Sequence, residues 1–245
     1  MAFSADEIER YARHFVLSGV GGPGQQRLAA ATVAVLGAGG LGAPAIAYLA
    51  AAGVGCLRVI DDDTVSLSNL QRQIIHTSAS VGRPKTDSAA DTVAALNPHV
   101  QFEAHPVRLS AANAAELVAD ASVVVDGADN APTRHILADA CEAARVPLVE
   151  GAVSAWDGHV TTLTPYETRP DGRPYPRYRD MFPQTPGSGE DECVRLGIMG
   201  AVTGVIGSLQ AVEAIKLIIG EGEPLRGRLL LYDARFARFE SIAYG

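Results

Sequence analysis

Cysteine is scarce: Cys56, Cys141 and Cys193 are the only three in 245 residues. They stand too far apart for a disulfide framework and form no C-x-x-C pair of the kind that holds zinc, so a reducing, cytoplasmic setting is expected. Runs of basic residues are missing too. With 20 Lys+Arg against 28 Asp+Glu, the net charge of −8 repels a phosphate backbone and argues against a nucleic-acid partner. Asp6, Glu7 and Glu9 come too early for an export signal. The longest uncharged run, residues 196–212, contains Thr203, Ser208, Gln210 and four glycines and leads into Glu213 and Lys216. It reads as the buried helix of a core, and no membrane contact is expected. The six histidines show no i, i+4 pair and no H-E-x-x-H spacing, which removes a zinc-hydrolase reading.

What is present is an alternation of strands and helices. Ser4 with Glu7 has capping-box spacing, and Ile8, Tyr11 and Phe15 recur at helical intervals, so a short amphipathic helix opens the chain; the glycines and Pro23 of 19–24 end it. Residues 32–36 form an apolar, β-branched run that flows into Gly37-Ala-Gly39-Gly40-Leu41-Gly42 and an alanine-rich stretch to Ala52: strand, glycine turn, helix. A second strand at 56–60 ends in Asp61-Asp62-Asp63. Helices are expected at 80–97, 111–119 and 132–144, with strands at 100–105 and 122–126. The strands are continuously apolar rather than alternating, which implies a parallel sheet covered on both faces. The fold class is therefore α/β, a Rossmann-like, mostly parallel sheet with helices on both faces. Past Val146 the strand-like runs 147–150 and 159–163 leave no room for a crossover helix, so antiparallel strands follow. Residues 165–190 hold six prolines and read as an irregular, mobile loop. A helix at 200–219 and a hairpin from 228–232 and 236–242 complete one domain over 1–245: an N-terminal helical arm (1–30), a nucleotide-binding half (31–150) and an antiparallel half (151–245).

Gly37-x-Gly39-x-x-Gly42 stands after a strand and before a helix, where backbone amides and a helix N-terminus can face a phosphate. Asp61, about twenty residues on at the next strand's end, can grip a ribose hydroxyl pair, so an adenine nucleotide is expected. An NAD-dependent oxidoreductase shares those features. The segment beyond Asp61 differs: Asn69, Arg72, Gln73 and Lys85 supply more phosphate ligands than a nicotinamide site needs.

Four motifs make the pattern specific. They are Gly-x-Gly-Gly-Leu-Gly; Asp61-x-Asp63-Thr-Val-x-x-Ser-Asn69-Leu-x-Arg72-Gln73; Gly82-Arg-Pro-Lys85; and Asp126-Gly-Ala-Asp129-Asn130 with Arg134. Together they resemble the ThiF/MoeB/HesA family, bacterial relatives of ubiquitin-activating enzymes, over residues 10–241. The resemblance implies an ATP- and Mg²⁺-dependent adenylyltransferase. Its substrate would be the C-terminal glycine carboxylate of a ubiquitin-like β-grasp sulfur carrier, in molybdopterin or thiamine biosynthesis or related sulfur transfer. Carried over by position, the backbone from Gly37 through Gly39, Gly40 and Leu41 to Gly42 lies against the phosphates, and Asp61 binds the ribose. Asn69, Arg72, Gln73 and Lys85 neutralise phosphate oxygens, and Asp129, beside Asn130, holds Mg²⁺. Asp129 could equally cap the following helix, and Asp63 could bind metal or cap a turn.

The resemblance also assigns Arg13 to a neighbouring subunit's phosphate site, which makes a homodimer part of the reading; His14 stands where the family often has glutamine. Cys193 matches a cysteine that in several relatives forms a covalent link to the carrier or to sulfur. Cys56 and Cys141, inside apolar patterns, are packing residues. Many relatives carry a C-x-x-C at the stretch matching Arg177-Tyr-Arg-Asp180 and another near the C-terminus. Neither is present, so no structural zinc is expected, and Tyr175, Tyr178, Phe182 and Pro183 are expected to stabilise that region instead. The alternatives to adenylation are the NAD-dependent oxidoreductase and a non-catalytic, nucleotide-binding subunit that docks a carrier.

Overall fold

A computed structural model describes residues 3–183 and 197–245. Cys193 lies outside the described residues. The elements run α1 (Ala5–Arg10), α2 (Ala12–Phe15), α3 (Gly21–Ala30), β1 (Thr32–Leu36), α4 (Gly42–Ala52), β2 (Cys56–Ile60), α5 (Lys85–Leu96), β3 (Gln101–His105), α6 (Ala114–Val118), β4 (Val123–Asp126) and α7 (Ala131–Ala144). They continue as β5 (Leu148–Ser154), β6 (Asp157–Leu163), α8 (Tyr178–Met181), α9 (Gly200–Ile219), β7 (Arg228–Asp233) and β8 (Arg238–Ala243).

All eight strands join one sheet in the order β3-β2-β1-β4-β5-β6-β7-β8. The pairs from β3 to β5 are parallel and those from β5 to β8 antiparallel, so the sheet changes character at β5. Alternate side chains of each strand serve two cores. Val33, Val35, Leu57, Val59, Val123, Val125 and Val149 meet α4, α5 and α9 on one face. Ala34, Leu36, Ile60, Val124 and Leu148 meet α6 and α7 on the other. Burial on both faces is why β1 and β4 read as unbroken apolar runs.

Helix α9 is long and apolar enough to cross a membrane by length and composition, yet half of its apolar window is buried against the rest of the chain. Gly207 permits the closest approach: a Cβ there would lie 2.3 Å from the Leu41 carbonyl oxygen. Gln210 donates to the Asp126 and Val149 carbonyls at 2.7 and 3.2 Å, tying the helix to β4 and β5.

Three local expectations need correction. The glycine and proline segment at 19–24 does not end the opening helical stretch, which stops at Phe15; residues 21–24 instead begin α3, with Pro23 in its first turn, where its missing N–H costs nothing. The helix expected from residue 80 starts at Lys85, since Gly82 adopts φ +89° and Pro84 occupies the N-cap. Strands β5 and β6 are longer than their apolar runs, extending to a two-residue turn at Ala155-Trp156. Between 165 and 183, Thr168 bridges Pro174, Tyr178 is buried, and the Phe182 ring stacks 5.6 Å from His159.

The N-terminal arm carries the Ser4–Glu7 capping box and then plugs into the body at Tyr11. The Tyr11 hydroxyl accepts a hydrogen bond from Asn97 Nδ2 at 2.8 Å, and its ring covers Gly53, where a Cβ would come within 2.4 Å. Arg10 donates to the Leu96 carbonyl and Gln25 to that of Ala52, so the arm docks on the C-terminal ends of α4 and α5.

Candidate functional site

The glycine turn forms where β1 ends. Gly37 adopts φ +87°, and a Cβ there would stand 2.8 Å from the Gly127 carbonyl oxygen; at Gly42 it would stand 1.8 Å from the Gly37 oxygen. Neither position accepts a side chain, and the Gly37–Gly127 contact brings the β4–α7 loop against the turn. Gly39 is open: the nearest atom to a Cβ there is Gln73 Nε2 at 3.5 Å. Gly40 faces Thr203 and the Arg72 side chain, at 3.1 and 3.5 Å. Leu41 turns its side chain into a small core with Val202 and Ile206, so only its backbone can face a ligand.

Asp61 ends β2 with both oxygens engaged, Oδ2 accepting from Ala38 N and Oδ1 from Asp63 N, each at 2.8 Å. Burial pushes its carboxyl above the ordinary value, while Lys85 and these two amides pull the other way. The Lys85 ammonium is 7% exposed and sits 2.7 Å from Asp63 and 3.9 Å from Asp61. Asp63 is therefore the lysine's counter-ion.

A 3₁₀ turn at Leu67–Asn69 carries the next ligands. Asn69 Oδ1 accepts from Ser66 N at 3.1 Å, which leaves the amide nitrogen as the donor. Arg72 donates from Nη1 to the Ser68 carbonyl at 3.2 Å beside Gly40, and Gln73 is buried with Oε1 unpartnered. An orphaned amide oxygen next to an open glycine marks a place a polar ligand can complete. Asp129 lies on the β4–α7 loop, exposed, accepting only from the neighbouring Asn130 amide at 3.1 Å. Asn130, not Asp129, caps α7, accepting from Thr133 N at 3.0 Å. The Asp129 carboxylate is thus free for a hard cation, whose oxygen-ligand chemistry it suits.

Arg13 does not join this group. It is exposed on α2, in the arm that docks at the C-terminal end of α4, whereas the glycine turn lies at that helix's start, about 17 Å along its 11 residues. The buried thiols of Cys56 and Cys141 are pushed up by desolvation, Cys56 to about 11.

Two groups escaped the motif reading. His76 is buried, with Nε2 2.9 Å from the Ala38 carbonyl and Nδ1 2.9 Å from the Ser88 hydroxyl. Burial lowers its pKa, so the imidazole is neutral; a carbonyl only accepts, so Nε2 carries the proton and steadies the glycine turn. Nothing in its sequence spacing marks that role. The second is the pair Glu150 and His159, which completes a buried cluster around the motif residues Asp126 and Arg134 behind the Asp129 loop.

The profile of the ThiF family matches residues 11–244. A SAMP-activating enzyme E1 from Haloferax volcanii is 48% identical over 245 residues, covering all of this chain and 88% of that protein. A sulfur carrier protein adenylyltransferase from Thermus thermophilus is 44% identical over 243 residues, covering 99% and 89%. Among solved structures, PaaA superposes with a TM-score of 0.81 at 25% identity over 98% of this chain and 74% of its own. MccB with N-formylated MccA superposes at 0.83 and 22% identity over 98% and 73%, which speaks for the fold alone. A family profile over nearly the whole chain and relatives at 44–48% identity agree, and the chain belongs to the ThiF family.

Proposed function

We propose that the protein adenylates the C-terminal glycine carboxylate of a ubiquitin-like sulfur carrier, consuming ATP and releasing pyrophosphate. The observation that carries this is a turn at which Gly37 and Gly42 admit no side chain, with Gln73 beside Gly39, Arg72 beside Gly40 and the Asp61–Lys85 pair joined to Ala38 N. Relatives named a sulfur carrier protein adenylyltransferase and a SAMP-activating E1 support the same reading. A carboxylate is already nucleophilic, so the reaction asks for alignment at the α-phosphorus and for charge stabilisation on departing pyrophosphate rather than for a general base. Asp61 holds the ribose, the Gly39-Gly40 backbone approaches the phosphates, and Lys85, Arg72 and Asn69 meet the phosphate oxygens. Asp129 would hold Mg²⁺, which would supply positive charge against the phosphates.

Arg13 completes the set in trans: its distance from its own chain's site fits a homodimer in which each arm serves the other subunit. A dehydrogenase has no use for this density of phosphate ligands. The carrier-dependent exchange of labelled pyrophosphate into ATP, run with each β-grasp candidate, tests the proposal. Exchange with at least one carrier is expected; nicotinamide cofactor binding without ATP binding would replace it with the dehydrogenase reading.

A further inference from the structure

The buried cluster behind the Asp129 loop holds one obligatory cation among two carboxylates. Arg134 is 11% exposed, Glu150 1% and Asp126 fully buried. Arg134 Nη1 donates to Glu150 Oε1 at 2.5 Å and to the Gly151 carbonyl at 2.9 Å, and Nη2 donates to the Ala128 carbonyl at 2.6 Å. The remaining Glu150 oxygen lies 3.1 Å from His159 Nε2, and Asp126 Oδ2 lies 4.0 Å from the guanidinium.

The consequence falls on one residue, whose two flanking peptide units are both held. Ala128 N donates to Asp126 Oδ1 at 2.8 Å while its carbonyl accepts from Arg134, so the residue before Asp129 is gripped at both ends. Only a planar fork can face Glu150 and Gly151 with one nitrogen and Ala128 with another; a lysine ammonium is a single point. Strand β5 supplies the fixed end, because Glu150 and Gly151 are paired to Thr161 and Val160 of β6.

We propose that Arg134 is a positioning residue: anchored on β5 by Glu150 and His159, it holds the Ala128 carbonyl and so aims the Asp129 carboxylate at the metal-bound phosphates. This rests on the adenylation reading and on Asp129 as the metal ligand.

Calorimetry of ATP binding, with Mg²⁺ and with a chelator, tests it on the full chain. In the wild type, Mg²⁺ is expected to tighten ATP binding. Arg134→Lys is expected to keep chelator-condition affinity within threefold and to lose at least fivefold of the Mg²⁺-dependent gain. Asp129→Asn should lose the same gain, and the double variant should lose no more than either single one. Equal weakening in both conditions marks a merely structural arginine and overturns the assignment, as does a fully retained gain. If circular dichroism shows Arg134→Lys unfolded, Glu150→Gln decides by the same two outcomes. A wild type with no Mg²⁺ gain at all removes the underlying reading instead, before any variant is compared.

Discussion

Replacing Lys85 by methionine keeps the length and packing of the side chain and removes only its ammonium. Two consequences differ in size. For stability, Asp63 is 65% exposed on its side chain, so solvent screens most of what that ion pair contributes. Asp61 is buried but retains two backbone donors, Ala38 N and Asp63 N. The loss is therefore about 1 kcal/mol rather than the several that a fully buried broken pair costs, a fall of about 2–4 °C in melting temperature for a chain of this size. For function, the ammonium is the least exposed of the phosphate-facing cations, and a charge-assisted hydrogen bond of about 1.5–3 kcal/mol corresponds to a loss of about 10- to 150-fold. Pyrophosphate exchange with a matched carrier gives kcat/KM, and a thermal melt gives the stability. Exchange within threefold of wild type would refute the assignment of Lys85 to the phosphates. A fall in melting temperature beyond about 10 °C would refute the stability argument.

Mixing Arg13→Ala with Arg72→Ala protein is expected to restore exchange activity that neither variant has alone, because mixed dimers contain one intact composite site; no recovery after subunit exchange counts against the trans arrangement. Gly42→Ala places a methyl group 1.8 Å from the Gly37 oxygen and should weaken ATP binding at least tenfold while helix content by circular dichroism is kept. Burial pushes Asp126 up to about 6, above its unfolded value near 3.8, so the folded state takes up a proton between those values. Its contribution to stability is present below about pH 4 and is lost as pH rises through about 6. Denaturant titrations should show that fall in the wild type but not in Asp126→Asn.

The parallel half was legible because double-sided burial writes itself as apolar runs: β1 and β2 have the expected bounds. Helix α9 was as clear, having no competing signal between Gly200 and Ile219. Lengths failed where pairing rather than hydrophobicity sets them, as in β5, whose Ala152 to Ser154 are held by cross-strand hydrogen bonds to β6. The α5 start was missed because the helical pattern was carried back past a boundary that Gly82 and Pro84 set together. At the site, the motif singled out Asp61, Arg72, Gln73 and Lys85, which the structure sets about the glycine turn, but not their division of labour. Asp63 pairing with Lys85, and Asn130 taking the cap, depend on distances that spacing does not encode. His76 and Glu150 were invisible, since single polar residues in apolar surroundings carry no local signature of their partners.

Helices α4 and α5 start at Gly42 and Lys85 and run 11 and 12 residues, about 17 and 18 Å, before they end beneath the same tyrosine. They act as a pair of stiff struts between the phosphate cradle and the arm. A displacement of either strut at the cradle arrives at Tyr11 with little attenuation, two residues from Arg13. Within one chain, the glycine turn and the arm that carries Arg13 are thus mechanically one part.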